Sequence, residues 1–591
     1  MSRNLNIIII LLALLPIALY IIWQPQLNKV SQFDIIPQDK ISLIDYSYHI
    51  LDDYYMENET NINLTLLDKE EQNMNYNILF ITLLTNGTVR GCQSGSTPRN
   101  DENRLSLDIQ EAIRESIEDD RFGGPLQKEE LSDTRIMFTF LYNISWLYNT
   151  SFTFLKNNIE LGIHAIEIMV NNTPIIFKES VPISNNYDLE YLLERLCNKA
   201  SLNKECYIND NIDMYRYDTL TFMGDRAENI TDLYRYNILI NMDDINNDMI
   251  YDRLLLAHDW FIHTIKHDDL LLEYLYYPSE DTYSLDNNHI RQLASLWSIT
   301  ELNSFLKNNK TNNLINTTLT YYLEFLNSTE TFSYLTINNE SKLANNAFLI
   351  LSLLNTPGYP NQEYLLEQLA NGILSLQYDN GSYHTYFFSE RNTGIDYYPG
   401  EAMLSLMKLY HYNENESYLE SVKKGFSYYR DYWRNNKNNA FITWHTQTYK
   451  LLYDQTQDAE IASFIFEMND WVIDTYQMQS SKYPDEIGGF PLYYPTFTTS
   501  VFLEGINDAY TVAVAENDSF HMQKYKEAIR LGIRFVLQTQ YTEENSFYLE
   551  NETRAIGGFR TSLTENSIRI DNTQHGVMAL MKTYGNNIFL D

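Results

Sequence analysis

The sequence predicts a multidomain chain: an N-terminal membrane anchor, an α+β domain, then an all-α ring of six helical hairpins. Three observations predict it. An apolar run opens the chain, short β-rich segments alternate with helical ones up to about Phe222, and from Asn247 onward the apolar spacing is helical. At 591 residues the chain exceeds what one hydrophobic core organises, so a division near 1–30, 31–230 and 240–591 is expected.

The run from Ile7 to Trp23 is interrupted only by Pro16, and Gln24-Pro25-Gln26 follows it in place of a small-x-small cleavage site. Its length suits an uncleaved signal anchor better than a signal peptide. Arg3 precedes it, so the positive-inside tendency places everything after Trp23 outside the cytoplasm. The expected localisation is extracytoplasmic, with one N-terminal helix in the plasma membrane, or secreted if that segment is removed. Acceptors for N-linked glycans recur at positions such as Asn58, Asn143, Asn229, Asn316, Asn415 and Asn551, although an Asn-rich chain makes some by chance. A net charge of −37 repels a polyanion and excludes nucleic acid as a partner. Cys92, Cys197 and Cys206 are too few for a disulfide framework or a cysteine metal site. A Cys197–Cys206 bridge and two free thiols both remain open.

Within the second segment, Asn77 to Leu84 alternates as a strand and ends in Thr85-Asn86-Gly87, after which Val89 restarts the alternation, so a hairpin is expected. Leu105–Ser116 and Leu189–Ala200 are spaced as helices, while Arg135–Tyr142, Ala165–Val170 and Pro174–Phe177 are spaced as strands. An α+β sandwich fits that order. Asn86-Gly-Thr-Val-Arg-Gly-Cys92, Ile109-x-x-Ala112, Asp120-Arg-Phe122 and Leu189–Ala200 resemble the AMMECR1 family pattern over nearly the whole segment. Gln93-Ser94 departs from that family's usual Ile-Gly. The resemblance implies a fold, since the family has no settled activity. In its motif Arg90, Gly91 and Cys92, the cysteine reads either as a thiolate activated by the guanidinium or as a buried residue pinning a turn.

In the third segment twelve helical stretches fall near 247–266, 287–307, 311–327, 341–354, 361–377, 400–411, 416–433, 438–453, 458–478, 498–515, 521–538 and 572–584. The connections after even-numbered stretches are tight and most after odd-numbered ones are long, so long loops gather on one face. A closed ring explains the asymmetry: each outer helix delivers the chain across an open mouth to an inner one. Arg291-Gln292, Asn345, Glu401, His445, Glu504 and Gln574-His575 near the inner starts would point into that mouth. With Leu376–Tyr383, Tyr397–Ala402, Gly488–Phe490 and Gly557–Arg560 through Ile568–Asp571, the segment resembles the (α/α)6 toroids of glycoside hydrolases, N-acylglucosamine 2-epimerases and the C-terminal domain of glucuronyl C5-epimerases.

Sugar chemistry in such a mouth needs carboxylates at the anomeric carbon or a base near an acidified C–H. Glu401 follows a Pro-Gly turn at a helix start, where the helix dipole keeps it ionised for base or nucleophile work. Glu504 sits in the apolar Val501–Ile506, where burial makes it a candidate acid. Asp571 and His575 are four apart and share a helix face. Arg560 and Arg569 would clamp a carboxylate-bearing sugar, and His384, His445 and Tyr398 complete the substrate-contacting set. Each also has a plain structural reading, as cap, core residue or interhelical bond. The spacing supports no metal, and no cofactor is expected. The expected function is a carbohydrate-active hydrolase, lyase or epimerase acting on a glycan. The alternatives are a non-catalytic surface glycoprotein that binds glycan or serves in an assembly, and an AMMECR1-like module active through Cys92.

Overall fold

The computed structural model describes residues 33–56, 67, 74–209, 212–266 and 271–590. Plasma-membrane anchoring is corrected here: among the described residues no helix is long and apolar enough to cross a membrane. The Ile7–Trp23 run that carried that expectation lies outside them.

Seven antiparallel strands form one sheet: β1 (Ile78–Thr85), β2 (Thr88–Ser94), β3 (Thr134–Trp146), β4 (His164–Val170), β5 (Thr173–Phe177), β6 (Asp213–Gly224) and β7 (Ile230–Leu233). Their order is β2-β1-β3-β6-β4-β5, with β7 also on β6. The β1–β2 hairpin turns at Asn86 and Gly87, whose φ values of 49° and 76° suit the tight turn that Asn-Gly favours. Strand alternation sends Leu79, Ile81 and Leu83 to one face, where they meet Ile136, Phe138, Phe140 and Phe222. Two helices cover that face, α1 (Pro37–Tyr55) and α2 (Arg104–Ile117), the latter through Leu105, Ile109, Ala112 and Ile113. Gly91 is required at the crossing of α2 over β2, because a Cβ there would lie 1.8 Å from the Ser116 carbonyl oxygen. A third helix, α3 (Leu189–Lys199), packs on β4 and β5, and Cys197 at its end is disulfide-bonded to Cys206.

The twelve expected helical stretches are all present. The outer helices are α4 (Asn247–His263), α6 (Asn312–Leu323), α8 (Gln362–Ser375), α10 (Glu416–Asn435), α12 (Ala459–Tyr476) and α14 (Ser519–Thr539). The inner ones are α5 (His289–Leu306), α7 (Leu343–Leu354), α9 (Tyr398–Asn413), α11 (Ile442–Thr456), α13 (Thr498–Ala515) and α15 (Ile570–Gly585). Each inner helix packs on the next and α15 returns to α5, closing a ring. Composition sorts the two layers. Along α10 only the stripe Tyr418, Leu419, Val422, Phe426, Tyr429 and Trp433 is buried, whereas α7 is buried from Leu343 to Leu353. Outer α4, α10, α12 and α14 start on Asn or Asp caps that accept first-turn amides. Inner α7, α9, α11, α13 and α15 have no side-chain cap, so their starts present backbone donors on the side of the long loops. The first and last of those loops are stitched together where Leu275–Tyr276 pairs with Ile568–Arg569.

The mouth-side loops also meet the sheet. Arg235 is buried between the two, its Nε donating to Asp485 at 2.6 Å and its Nη1 to Glu160 at 2.5 Å. Asn566 donates from its side-chain amide to the Ile183 carbonyl and from its backbone N–H to Asn186 Oδ1 at 2.8 Å. Phe547 packs with Leu84, Met137 and Met223 of the sheet.

Candidate functional site

Two inner helices bring Glu504 and His575 together, from the second turns of α13 and α15. Glu504 is fully buried, and its Oε1 lies 2.5 Å from His575 Nδ1. Gln447 on α11 donates to the other carboxylate oxygen at 3.3 Å. Lys582, two turns deeper, ties Gln447, Asp508 and the Glu504 carbonyl together at 2.8, 2.7 and 3.2 Å. The imidazole is therefore fixed through Nδ1. Its side chain keeps 11% exposure, and the Trp444 ring stands 6.1 Å away.

Asp571, one turn before His575, is held by arginines from both ends of the ring. Arg291 of α5 donates from Nε at 2.7 Å, and Arg569 donates from Nε and Nη2 at 2.5 and 2.9 Å. Burial pushes the carboxyl up, but the Arg569 bonds, then the charges of Arg569, Arg291 and His575, outweigh it and hold Asp571 below the ordinary carboxylate value. Arg291 also donates to the Tyr274 hydroxyl at 2.8 Å. Asp571 is thus an ionised carboxylate already committed to two guanidiniums.

Glu401 behaves oppositely to its expectation. It is 4% exposed with no partner for Oε2, and burial pushes its carboxyl up to about 8. The carboxyl is protonated at neutral pH, because desolvation inside the ring exceeds what the first-turn dipole returns. Tyr397 lies within electrostatic reach of both Glu401 and Arg291, which links α9 to the Asp571 cluster. Asn345 at the start of α7 likewise has a buried Oδ1 without a partner, on the wall of a cavity of about 130 Å³ with Asn288, His289 and Lys342.

Other expected contacts are placed elsewhere. His445 is fully buried, stacked on Phe441 at 3.4 Å with Nδ1 on that residue's carbonyl, and burial holds its pKa near 3. It lies in the packing behind α9, against Gly400. Arg560 is buried on the Gln538 carbonyl and over the Tyr541 ring. His384 pairs with Tyr378 at 3.1 Å, and Tyr398 packs beside Tyr386 and Tyr397. In the sheet, Arg90 is taken up by Glu130 at 2.7 Å and by the Phe122 carbonyl. Sequence reasoning gave no role to Tyr274, Gln447 and Lys582. Only the side-chain bonds across helices distant in sequence identify them.

Residues 44–222 match the AMMECR1 family model, and this region is an AMMECR1 domain. A protein from Caldivirga maquilingensis is 26% identical over 134 residues, 23% of this chain and 60% of that protein. One from Nanoarchaeum equitans is 30% identical over 115 residues, 19% of this chain and 63% of that protein. The chain thus spans less than two thirds of the length of these relatives. Among solved structures, an uncharacterised protein from Pyrococcus horikoshii has a TM-score of 0.30 and 18% identity, covering 34% of this chain and 98% of its own. A family 76 glycoside hydrolase from a bovine Bacteroides thetaiotaomicron strain has a TM-score of 0.42 and 11% identity, covering 76% and 95%. D-mannose isomerase has a TM-score of 0.41 and 12% identity, covering 56% and 97%. At such TM-scores no chemistry passes from these neighbours to this chain.

Proposed function

We propose that the helical ring, residues 240–591, binds a carbohydrate in its mouth and transfers a proton at a carbon of that sugar, as an epimerase or lyase does. The observation that carries this reading is the 2.5 Å contact between buried Glu504 and His575 Nδ1. A carboxylate accepting from Nδ1–H leaves the lone pair on Nε2, which is the arrangement of a positioned general base. Glu401, protonated at neutral pH by its burial, is the matching acid.

The state of the carboxylates favours proton transfer over hydrolysis. A glycosidase of the common kind needs one protonated and one free ionised carboxylate across the scissile bond. Asp571 is bound by Arg291 and Arg569, and Glu504 is bound by His575, so neither is free to attack. Asp571 with its arginines serves instead to recognise sugar hydroxyls, as planar bidentate groups do. Tyr274, Tyr397 and Trp444 supply aromatic faces for the ring of the sugar.

Saturation-transfer NMR against a panel of neutral and acidic mono- and oligosaccharides tests the reading. Binding by the unaltered protein that is lost in Asp571→Asn supports it. No binding by any member of the panel overturns it, and binding without turnover would leave a carbohydrate-binding protein.

A further inference from the structure

The sheet face turned away from α1 and α2 carries a polar stripe. Register fixes who meets whom on that face: Cys92 lies opposite Thr82, Phe80 opposite Thr139, and Thr139 opposite Thr221. Thr82, Thr139 and Thr221 are buried, where apolar side chains are the ordinary choice. The chain leaving β5 lays Lys178 and Glu179 over this stripe. Lys178 Nζ donates to Thr82 Oγ1 at 2.8 Å, Thr82 Oγ1 donates to Cys92 Sγ at 3.2 Å, and Thr221 Oγ1 donates to Glu179 Oε1 at 2.8 Å. Glu179 is 2% exposed and its Oε2 has no partner. Burial raises its pKa against the pull of Lys178.

Cations gather where the stripe opens. Arg121 donates to the Cys92 carbonyl at 2.7 Å, Lys199 donates to the Ile176 carbonyl at 2.8 Å, and both lie within electrostatic reach of the Cys92 sulfur. Tyr236 senses both Cys92 and Glu179, which joins the two ends of the stripe. Asp119 offsets one of the three cations, its carboxylate accepting from Arg121 at 2.6 Å and from Cys92 N–H at 3.1 Å. In a chain of net charge −37, a local excess of positive charge around a half-buried thiol runs against the surrounding field.

The geometry points to a binding site for a small anion, a carboxylate or a phosphate group, held by Lys178, Lys199 and Arg121 with the Cys92 thiol against it. This site is independent of the ring and of any sugar bound there.

Cys197 and Cys206 are paired, so Cys92 is the free thiol of the chain and can be read without interference. The full-length protein is alkylated under native conditions with iodoacetate, an anion, and with iodoacetamide, its neutral analogue. In each case sulfur displaces iodide and the thiol proton goes to solvent, so the ratio of the two rates cancels the acidity of the thiol. Focusing by the cations raises that ratio about tenfold over the ratio for glutathione, and Lys178→Met or Lys199→Met lowers it. Inorganic phosphate and acetate are then compared with chloride at equal ionic strength as protectants. Protection by phosphate alone marks a phosphate ligand, and protection by acetate alone a carboxylate. A ratio no greater than that of glutathione, a Cys92 inert to both reagents, or protection by neither anion overturns the site. The ratio in the unsubstituted protein stands even where a variant fails to fold.

Discussion

Replacing Glu401 by Gln removes a buried group whose two protonation states the fold treats very differently. The folded carboxyl titrates at about 8 against an ordinary 4.5. Below 4.5 both folded and unfolded chains hold the proton, and the group is neutral in the balance. Between these values the unfolded chain releases its proton and the folded one keeps it, so stability falls as pH rises and levels off above about 8. At about 1.4 kcal/mol per pH unit this costs the wild type ~3 kcal/mol at pH 7 and ~5 kcal/mol beyond pH 8. Gln is nearly isosteric and does not titrate, so its packing effect is the same at every pH. Urea denaturation followed through the tryptophans of the ring, Trp260, Trp297, Trp433, Trp444 and Trp471, compares the two proteins at pH 5 and pH 8. The variant gains ~4 kcal/mol on the wild type between those pH values. A stability difference unchanged from pH 5 to pH 8 refutes the buried, unpartnered state of Glu401 and with it the proposed acid.

Asp571 responds with the opposite sign. Its pKa is depressed, so the stability it contributes is present above 3.8 and is lost as pH falls through its lower folded value. Asp571→Asn costs about 2 kcal/mol at pH 7, since Arg291 is partly exposed and the bridge is not fully desolvated, and the gap to wild type closes in acid denaturation below pH 4. Gly91→Ala forces β2 away from α2 and costs about 3 kcal/mol by urea denaturation, whereas Gly124→Ala, with nothing within 4 Å of its Cβ, costs about 1 kcal/mol through its positive φ alone. Once a turned-over sugar is in hand, Glu504→Gln lowers kcat by ~10³-fold or more while leaving KM within a few-fold, because the amide holds the ring but favours the wrong tautomer.

The ring was legible because its repeat is periodic at two scales: apolar spacing within each helix, and short connections alternating with long ones. The stretch read at 498–515 coincides with α13, and the even spacing of α10 made its boundaries nearly as clear. The sheet was less so. Strand β6 lies at its centre and pairs on both sides, yet Arg216, Asp218, Thr219 and Thr221 interrupt its apolar alternation because several of them serve bonds across the sheet. Helix α1 hid for a similar reason, since buried Lys40 pairs with Asp232 far along the chain.

In the candidate site, sequence found the helix starts but not the directions of the side chains. The four-residue step from Asp571 to His575 was visible, while the partner of each, Arg291 and Glu504, comes from a helix more than 70 residues away. Glu401 shows the limit most plainly. A first-turn dipole can be read from Pro399-Gly400, but the closure of five other helices around that carboxyl, which removes its charge, cannot. His445 and Arg560 carry suitable chemistry and are turned by packing into the walls.

Transfer of a proton by His575 is tested most directly by sugar C–H exchange in D2O, with the ligand identified by saturation transfer, followed by NMR for the unaltered protein, His575→Ala and Glu401→Gln. The account predicts deuterium entering one carbon position with the unaltered protein, none with His575→Ala, and a slowed rate with Glu401→Gln. Exchange undiminished in His575→Ala would contradict it.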